Sequence, residues 1–237
     1  RKRLIEKDVI PVWRKKKVAT ITRRDAVLVI DKVRDRAPVT ANRVQGVLVR
    51  MFNFASERGL IDFSPLVGMR RTKETSRSRV LTDAEIKSFW ACMDLDREDI
   101  DIYRLTKLAL KAVLLTGQRP GEVAGMLKNE IDGEWWIIPP ERSKNREENR
   151  VPILPMFAEI IELAGSYNAG SAFVFVSPRS PLYQFKKPAI AKPFAADLSV
   201  SVGAMANAIR RHSAEMEIPE RFTPHDLRRT LRTKLAE

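Results

Sequence analysis

Three short segments, far apart in the chain, each set a cation where the chemistry of a phosphate ester would use one. The first, residues 116–123 (TGQRPGEV), puts Arg119 at a turn directly before Pro120, a residue type favoured at the first position of a helix. A guanidinium at a helix N-terminus can fork onto two phosphate oxygens, and Glu122 three residues on can fix its orientation. Taken alone, such an Arg–Glu pair at a helix start is more often a structural bridge. The second segment, Ser143-Lys144-Asn145, places an ammonium where it can reach into a groove and donate a proton to a leaving oxygen. With Arg142, Arg146 and Arg150 nearby, Lys144 also reads as one surface cation among several. The third is TPHDLRRT, residues 223–230. On a helix, His225 and Arg228 share a face, so a titratable imidazole stands beside a fixed cation, as binding and proton handling at a phosphodiester require. A capping or packing histidine is the alternative.

These residues need elements to hold them. Thr82-Asp83-Ala84-Glu85 is a capping box opening a helix through Phe89 and Trp90, and residues 103–116 (YRLTKLALKAVLLT) make a strongly apolar helix suited to the centre of a core. Pro120 starts a helix over Glu122 to Leu127. Residues 135–138 and 151–154 read as two strands joined by the charged stretch 141–150 that carries Lys144. A helix around 157–163, a short strand over 172–176, a helix over 202–216 and a last helix opened by Thr223-Pro224 and running to the chain end complete this part. Nearer the start, Thr22-Arg23-Arg24-Asp25 opens a helix with Val27, Ile30 and Val33, stopped by Pro38. A second begins at Thr40, carries Val44, Val47, Leu48, Met51, Phe52 and Ala55 on one face and Arg43, Arg50 and Arg58 on the other, and closes at Gly59. The fold class that follows is mainly α with a small antiparallel β-sheet.

Charge divides the chain. Among 237 residues there are 43 Lys+Arg against 30 Asp+Glu, a formal net charge of +13. Residues 1–79 hold 21 basic and 8 acidic side chains, whereas residues 80–237 hold 22 of each. A surplus confined to one region points to a polyanionic partner, above all nucleic acid, with a merely basic solvated surface as the alternative. The stretch RRTKETSRSR at 70–79 is polar, basic and nearly free of apolar residues, which suggests an extended linker between a helical region at 1–69 and a second at 80–237.

Composition excludes several classes. A lone cysteine, Cys92, rules out an internal disulfide framework and a Cys-rich metal site, and two histidines, His212 and His225, cannot build a His-rich centre. No apolar run has the length of a membrane span and no secretory signal is visible, so an intracellular, reducing setting is expected; the absent start methionine suggests a fragment or processed chain. Residues 94–101 (DLDREDID) lack the glycine and terminal glutamate of a calcium loop and read as a solvated loop. His212, beside Arg210 and Arg211, is expected on a solvated helical face, and Trp135-Trp136 in a core.

Together TGQRPGEV, a hairpin bearing SKN, and TPHDLRRT, in that order, resemble the tyrosine recombinase (phage integrase) family in its prophage-integrase branch. The resemblance is clear over 80–237, and residues 1–69 look like the family's helical domain that binds core-site DNA. It implies an α + β catalytic domain in which Arg119 and Arg228 clamp the scissile phosphate, Lys144 is general acid for the 5′-hydroxyl, His225 hydrogen-bonds the phosphate or assists proton transfer, and Glu122 supports Arg119. It also implies strand cleavage and rejoining through a 3′-phosphotyrosine, without metal or other cofactor. Its implied partners are double-stranded attachment-site DNA, a tetramer assembled on that DNA and accessory DNA-bending or directionality proteins, in the bacterial cytoplasm at the nucleoid and not at a membrane. The family's tyrosine lies downstream of the His-x-x-Arg helix, and here Tyr103, Tyr167 and Tyr183 are all upstream. No nucleophile is therefore assigned, and this chain is expected to bind DNA without cleaving it. A type IB topoisomerase-like enzyme and a catalytically silent DNA-binding or regulatory module are the alternatives.

Overall fold

A computed structural model describes residues 2–75, 77–168, 170–180 and 197–237. It divides into two compact units, Arg1–Arg77 and Ser78–Glu237.

The amino-terminal unit is helical. Helical turns over residues 2–13 lead to α1 (Arg23–Arg36) and α2 (Pro38–Glu57). Thr22 opens α1 through a reciprocal capping box with Asp25: the Asp25 N–H donates to Thr22 Oγ1 at 3.2 Å, and the Thr22 N–H donates to Asp25 Oδ2 at 3.0 Å. The face of α1 that enters the core is Ala26, Val29, Ile30 and Val33, and Val27 sits only half-buried beside it. Pro38 does more than stop α1. It is the first residue of α2, where its missing N–H costs nothing, so that helix begins two residues before Thr40. Gly59, at φ +67°, ends it: the Gly59 N–H donates to Ser56 O and the Leu60 N–H to Ala55 O. Trp13 and Phe52 meet edge to face, 5.9 Å apart, in a core they share with Ile30, Val44, Leu48 and Leu66.

The carboxy-terminal unit is built around α4 (Arg104–Thr116), which is preceded by α3 (Asp83–Cys92). Every residue of α4 from Leu105 to Leu114 is buried, which a helix can sustain only when packed on all sides. Its apolar residues share one core with Phe89, Trp136, Phe157, Phe175 and Leu227. α5 (Pro120–Ala124) is a single turn closing at Gly125, shorter than the sequence reading up to Leu127. β1 (Ile131–Asp132), β2 (Trp135–Ile138) and β3 (Asn149–Pro152) form an antiparallel sheet in the order β1-β2-β3, with Trp136 opposite Val151 and Ile138 opposite Asn149. The third strand thus lies two residues earlier than 151–154, and β1 has no sequence signal because two residues carry no alternation to read. The pleat splits the tryptophan pair: Trp136 is fully buried, whereas Trp135 is exposed with the Arg150 guanidinium 5.5 Å from its ring.

α6 (Pro155–Ser166), α7 (Val202–Arg211) and α8 (Pro224–Lys234) complete the unit. Residues 172–176 contribute two isolated bridges, Leu127 with Phe173 and Val176 with Ser199, in place of a strand. The helix expected over 202–216 ends at Arg211, and His212 caps it, partly buried against Glu215 at 3.2 Å. Tyr103 donates its hydroxyl hydrogen to Val176 O at 3.0 Å, and Tyr167 lies under the Arg104 guanidinium, so both hold helix ends. The third tyrosine, Tyr183, falls outside the described residues. No described helix is long and apolar enough to cross a membrane.

Candidate phosphate-binding site

α4 ends at Gly117, whose φ of +59° supplies the left-handed cap that stops the helix. A Cβ there would lie 2.9 Å from Leu231 Cδ2, so the glycine also lets α8 press against the end of α4. This close approach brings the turn bearing Arg119 beside the helix bearing Arg228.

Arg119 stands at the mouth of α5, held by Glu122. Its backbone N–H donates to Glu122 Oε2 at 3.0 Å and its Nη1 to Oε1 at 2.7 Å, and the carboxylate is buried. One carboxylate oxygen therefore holds the backbone at Arg119 and the other aims its guanidinium. Arg228 differs. Its Nη1 is buried without a hydrogen-bond partner, and burial pushes the guanidinium below its ordinary pKa, with the like charges of Arg119 and Arg232 acting in the same direction. A half-buried guanidinium with one enclosed, unsatisfied nitrogen and two like charges nearby is unfavourable by itself and is favoured by an arriving anion.

Arg119 and Arg228 line one concavity of about 480 Å³ with Gln118, Ser143, Asn145 and Arg232. An adjacent concavity of about 650 Å³ is lined by His225, Arg228, Arg229 and Arg232. Arg228 thus belongs to both, with Arg119 on one side and an exposed His225 on the other. Lys144 is exposed on the connection between β2 and β3 and lines neither. Its neighbour Asn145 is the hairpin residue that reaches in, accepting from Arg119 Nη2 at 3.2 Å.

The hairpin is fastened beside Arg119 by groups to which the sequence reading gave no role. Asn149 Nδ2 donates to Gln118 Oε1 at 2.9 Å. Arg142, read as one more hairpin cation, donates from Nη2 to Glu122 O at 2.9 Å and from Nη1 to Gly125 O, tying the hairpin to α5. Its Nε lies 2.6 Å from Glu130 Oε1. Glu130 is buried and takes further donors at Oε2 from the Leu127 N–H and Trp136 Nε1, at 3.1 and 3.0 Å. The sequence does not single this network out, because Glu130 is one of three acids, with Asp132 and Glu134, that precede the tryptophan pair. α8 is anchored in turn by Asp226, which accepts from the Thr223 N–H at 2.9 Å, and by Thr230, whose Oγ1 accepts from the Leu81 N–H at 2.9 Å. No group of three His, Cys, Asp or Glu that could hold a metal occurs among the described residues.

An arginine from a helix-start turn and one from a late helix thus line one concavity, with a β-hairpin fastened beside them in a mainly helical unit of α + β class. Residues 79–237 match the phage integrase family and residues 1–72 the phage integrase central domain, so the chain belongs to the phage integrase family. It is 25% identical over 176 residues to prophage integrase IntZ of Escherichia coli strain K12, covering 72% of this chain and 42% of that protein. The chain therefore spans less than half the length of this curated relative. Its fold is similar to that of a lambda integrase dimer bound to a COC′ core site, with a TM-score of 0.71, 17% identity, 97% of this chain and 76% of that one covered. A lambda integrase tetramer bound to a Holliday junction matches with a TM-score of 0.67 and 17% identity, over 90% of this chain and 56% of that one.

Proposed function

We propose that this chain is the DNA-binding and phosphate-activating part of a site-specific recombinase that cleaves and rejoins strands through a 3′-phosphotyrosine. The observation that carries the reading is Arg228 Nη1, a buried guanidinium nitrogen with no partner, lining the same concavity as a carboxylate-aimed Arg119. In this reading the two guanidiniums take the non-bridging oxygens of the scissile phosphate and neutralise charge that grows in the transition state. His225 adds a hydrogen bond from the neighbouring concavity. Lys144 acts as general acid for the 5′-oxygen after the hairpin moves it toward the phosphate; the anchored base formed by Arg142 and Asn149 limits that movement to the connection itself. Residues 1–69 grip core-site duplex, 70–79 link, and 80–237 carry the chemistry. Double-stranded attachment-site DNA, a tetramer on that DNA, accessory bending or directionality proteins and a cytoplasmic, nucleoid-associated location belong to the same proposal.

In a recombination-competent protein containing these residues, Arg119→Ala or Arg228→Ala abolishes cleavage of a suicide attachment-site duplex and leaves most of the binding intact. Equal loss of binding and cleavage would assign both arginines to structure. The 237-residue chain alone is expected to bind duplex and to form no covalent adduct: Tyr103 and Tyr167 pack at helix ends and line neither concavity, and Tyr183, outside the described residues, lies upstream of the His-x-x-Arg helix. An adduct trapped on that chain would overturn this part. Strand exchange between two sites, rather than relaxation of supercoils alone, separates a recombinase from a topoisomerase-like enzyme.

A further inference from the structure

Residues 69–74 of the amino-terminal unit have no regular structure, yet they are not free. Asn42 and Gln45, on α2, are both buried. Asn42 treats Thr72 as a strand would: its Nδ2 donates to Thr72 O at 2.7 Å, and its Oδ1 accepts from the Thr72 N–H at 3.0 Å. Gln45 Nε2 donates to Met69 O at 3.0 Å and Arg70 O at 3.3 Å. Between these fixed points Arg71 is laid across α2 at Gly46, where a Cβ would stand 2.9 Å from Arg71 Nη2. Its guanidinium joins those of Arg43 and Arg50 around one concavity of about 530 Å³. None of the three has a hydrogen bond or ion pair among the described residues, in contrast to Lys16, Arg34 and Arg36 of the same unit, which pair with Asp25, Asp31 and Asp8. The one acid lining the concavity, Glu74, is held at Oε1 by Asn42 Nδ2 at 2.7 Å.

We propose that Arg43, Arg50 and Arg71 form a binding site for the phosphodiester backbone of duplex DNA, and that Asn42 and Gly46 are its positioning residues. The two amides convert a basic stretch that would otherwise be mobile into a third wall of the site, and Gly46 leaves the space in which the Arg71 guanidinium lies. A guanidinium held in place loses less freedom on binding a phosphate than one on a loose segment. This inference rests on the reading of the chain as a DNA-binding protein.

The test uses the 237-residue chain, a fluorescent mixed-sequence DNA duplex and anisotropy titrations over a range of salt. For every phosphate that a variant no longer neutralises, the slope of log affinity against log salt becomes shallower by about 0.9. Arg43→Ala, Arg50→Ala and Arg71→Ala each produce that drop. Asn42→Ala produces it when Arg71 is present and adds nothing in an Arg71→Ala background; a full additional loss there would make Asn42 merely structural and overturn its role. Gly46→Ala keeps the clamp but displaces the guanidinium. Because alanine favours a helix over glycine, the melting temperature holds or rises while affinity and slope fall. A Gly46→Ala protein that binds like wild type would overturn the placement of Arg71. A flat wild-type slope would overturn the DNA reading itself, whereas a steep one unchanged by Arg71→Ala overturns this inference alone.

Discussion

The amino-terminal region carries 21 basic side chains against 8 acidic ones, and residues 80–237 carry 22 of each, yet the more specialised cations are in the neutral unit. There, Arg142 is bound to Glu130 and to two backbone carbonyls, and Arg119 is aimed by a buried Glu122. In the basic unit, Arg43, Arg50 and Arg71 face solvent without partners among the described residues. A surplus of charge marks a region that attracts a polyanion over a distance, because unpaired cations sum into a field. A balanced composition hides the places where single cations are held by their own acids. Net charge thus reports on capture, and local pairing reports on placement.

Removing the partner of a buried acid gives the sharpest way to break this contrast. Arg142→Ala leaves Glu130 buried and uncompensated and is expected to lower the stability of the carboxy-terminal unit by about 3 kcal/mol. Arg43→Ala, an exposed and unpaired cation, is expected to change stability by no more than about 0.5 kcal/mol. Chemical denaturation with a probe in each unit measures both. Equal costs would erase the distinction between a placed cation and a field cation.

Much of this contrast is legible in the amino-acid sequence, and the part that is not has a physical reason. Arg119, Glu122, His225 and Arg228 declare themselves through helix-start chemistry, since Pro120 and Thr223-Pro224 fix where the helices begin. Ile30, Leu48 and Phe52 follow from helical periodicity. Lys144 is legible as a hairpin cation, but its distance from the arginines is not, because a connection of charged residues carries no periodicity. Arg142–Glu130 and the Asn42–Thr72 pair join residues 12 and 30 positions apart. Such contacts are properties of packing, and neither propensity nor spacing encodes them. Buried amides such as Asn42 and Gln45 look identical in sequence to exposed ones.

Gly117 probes the junction through which the carboxy-terminal unit brings its two arginines together. Gly117→Ala forces an L residue to φ +59° and drives its Cβ toward Leu231, at a cost of about 2 kcal/mol. Because Leu231 is three residues from Arg228 on α8, the proposed function requires that cleavage by a recombination-competent protein fall more than stability predicts while its affinity for duplex DNA is unchanged. Gly59→Ala, also at positive φ but with nothing within 4 Å of the added carbon, costs stability alone. If the two substitutions affected cleavage equally, the approach of α8 to Gly117 would have no part in placing Arg228.

The smallest effect compares the same device in two settings. Both units open a helix with a capping box whose acid is also bound to a basic residue: Asp25 with Lys16 at 2.6 Å, and Glu85 with Arg79. The Lys16 hydrogen bond, with those from Thr22, holds Asp25 down at a pKa of about 2, and Arg79 holds Glu85 below its ordinary value. A carboxylate whose pKa is depressed by folding binds fewer protons in the folded state than in the unfolded one. Its contribution is therefore fully present above the unfolded value and is lost as pH falls through the folded one. For Asp25 that window runs from about 3.8 down to about 2. Asp25→Asn should accordingly flatten the acid side of the amino-terminal unit's melting profile. Added salt should weaken the wild-type effect there, where Lys16 is 41% exposed, more than at Glu85, whose partner Arg79 is 8% exposed. Equal salt sensitivity at the two caps would mean that enclosure of the basic partner does not set how the units respond to their ionic surroundings.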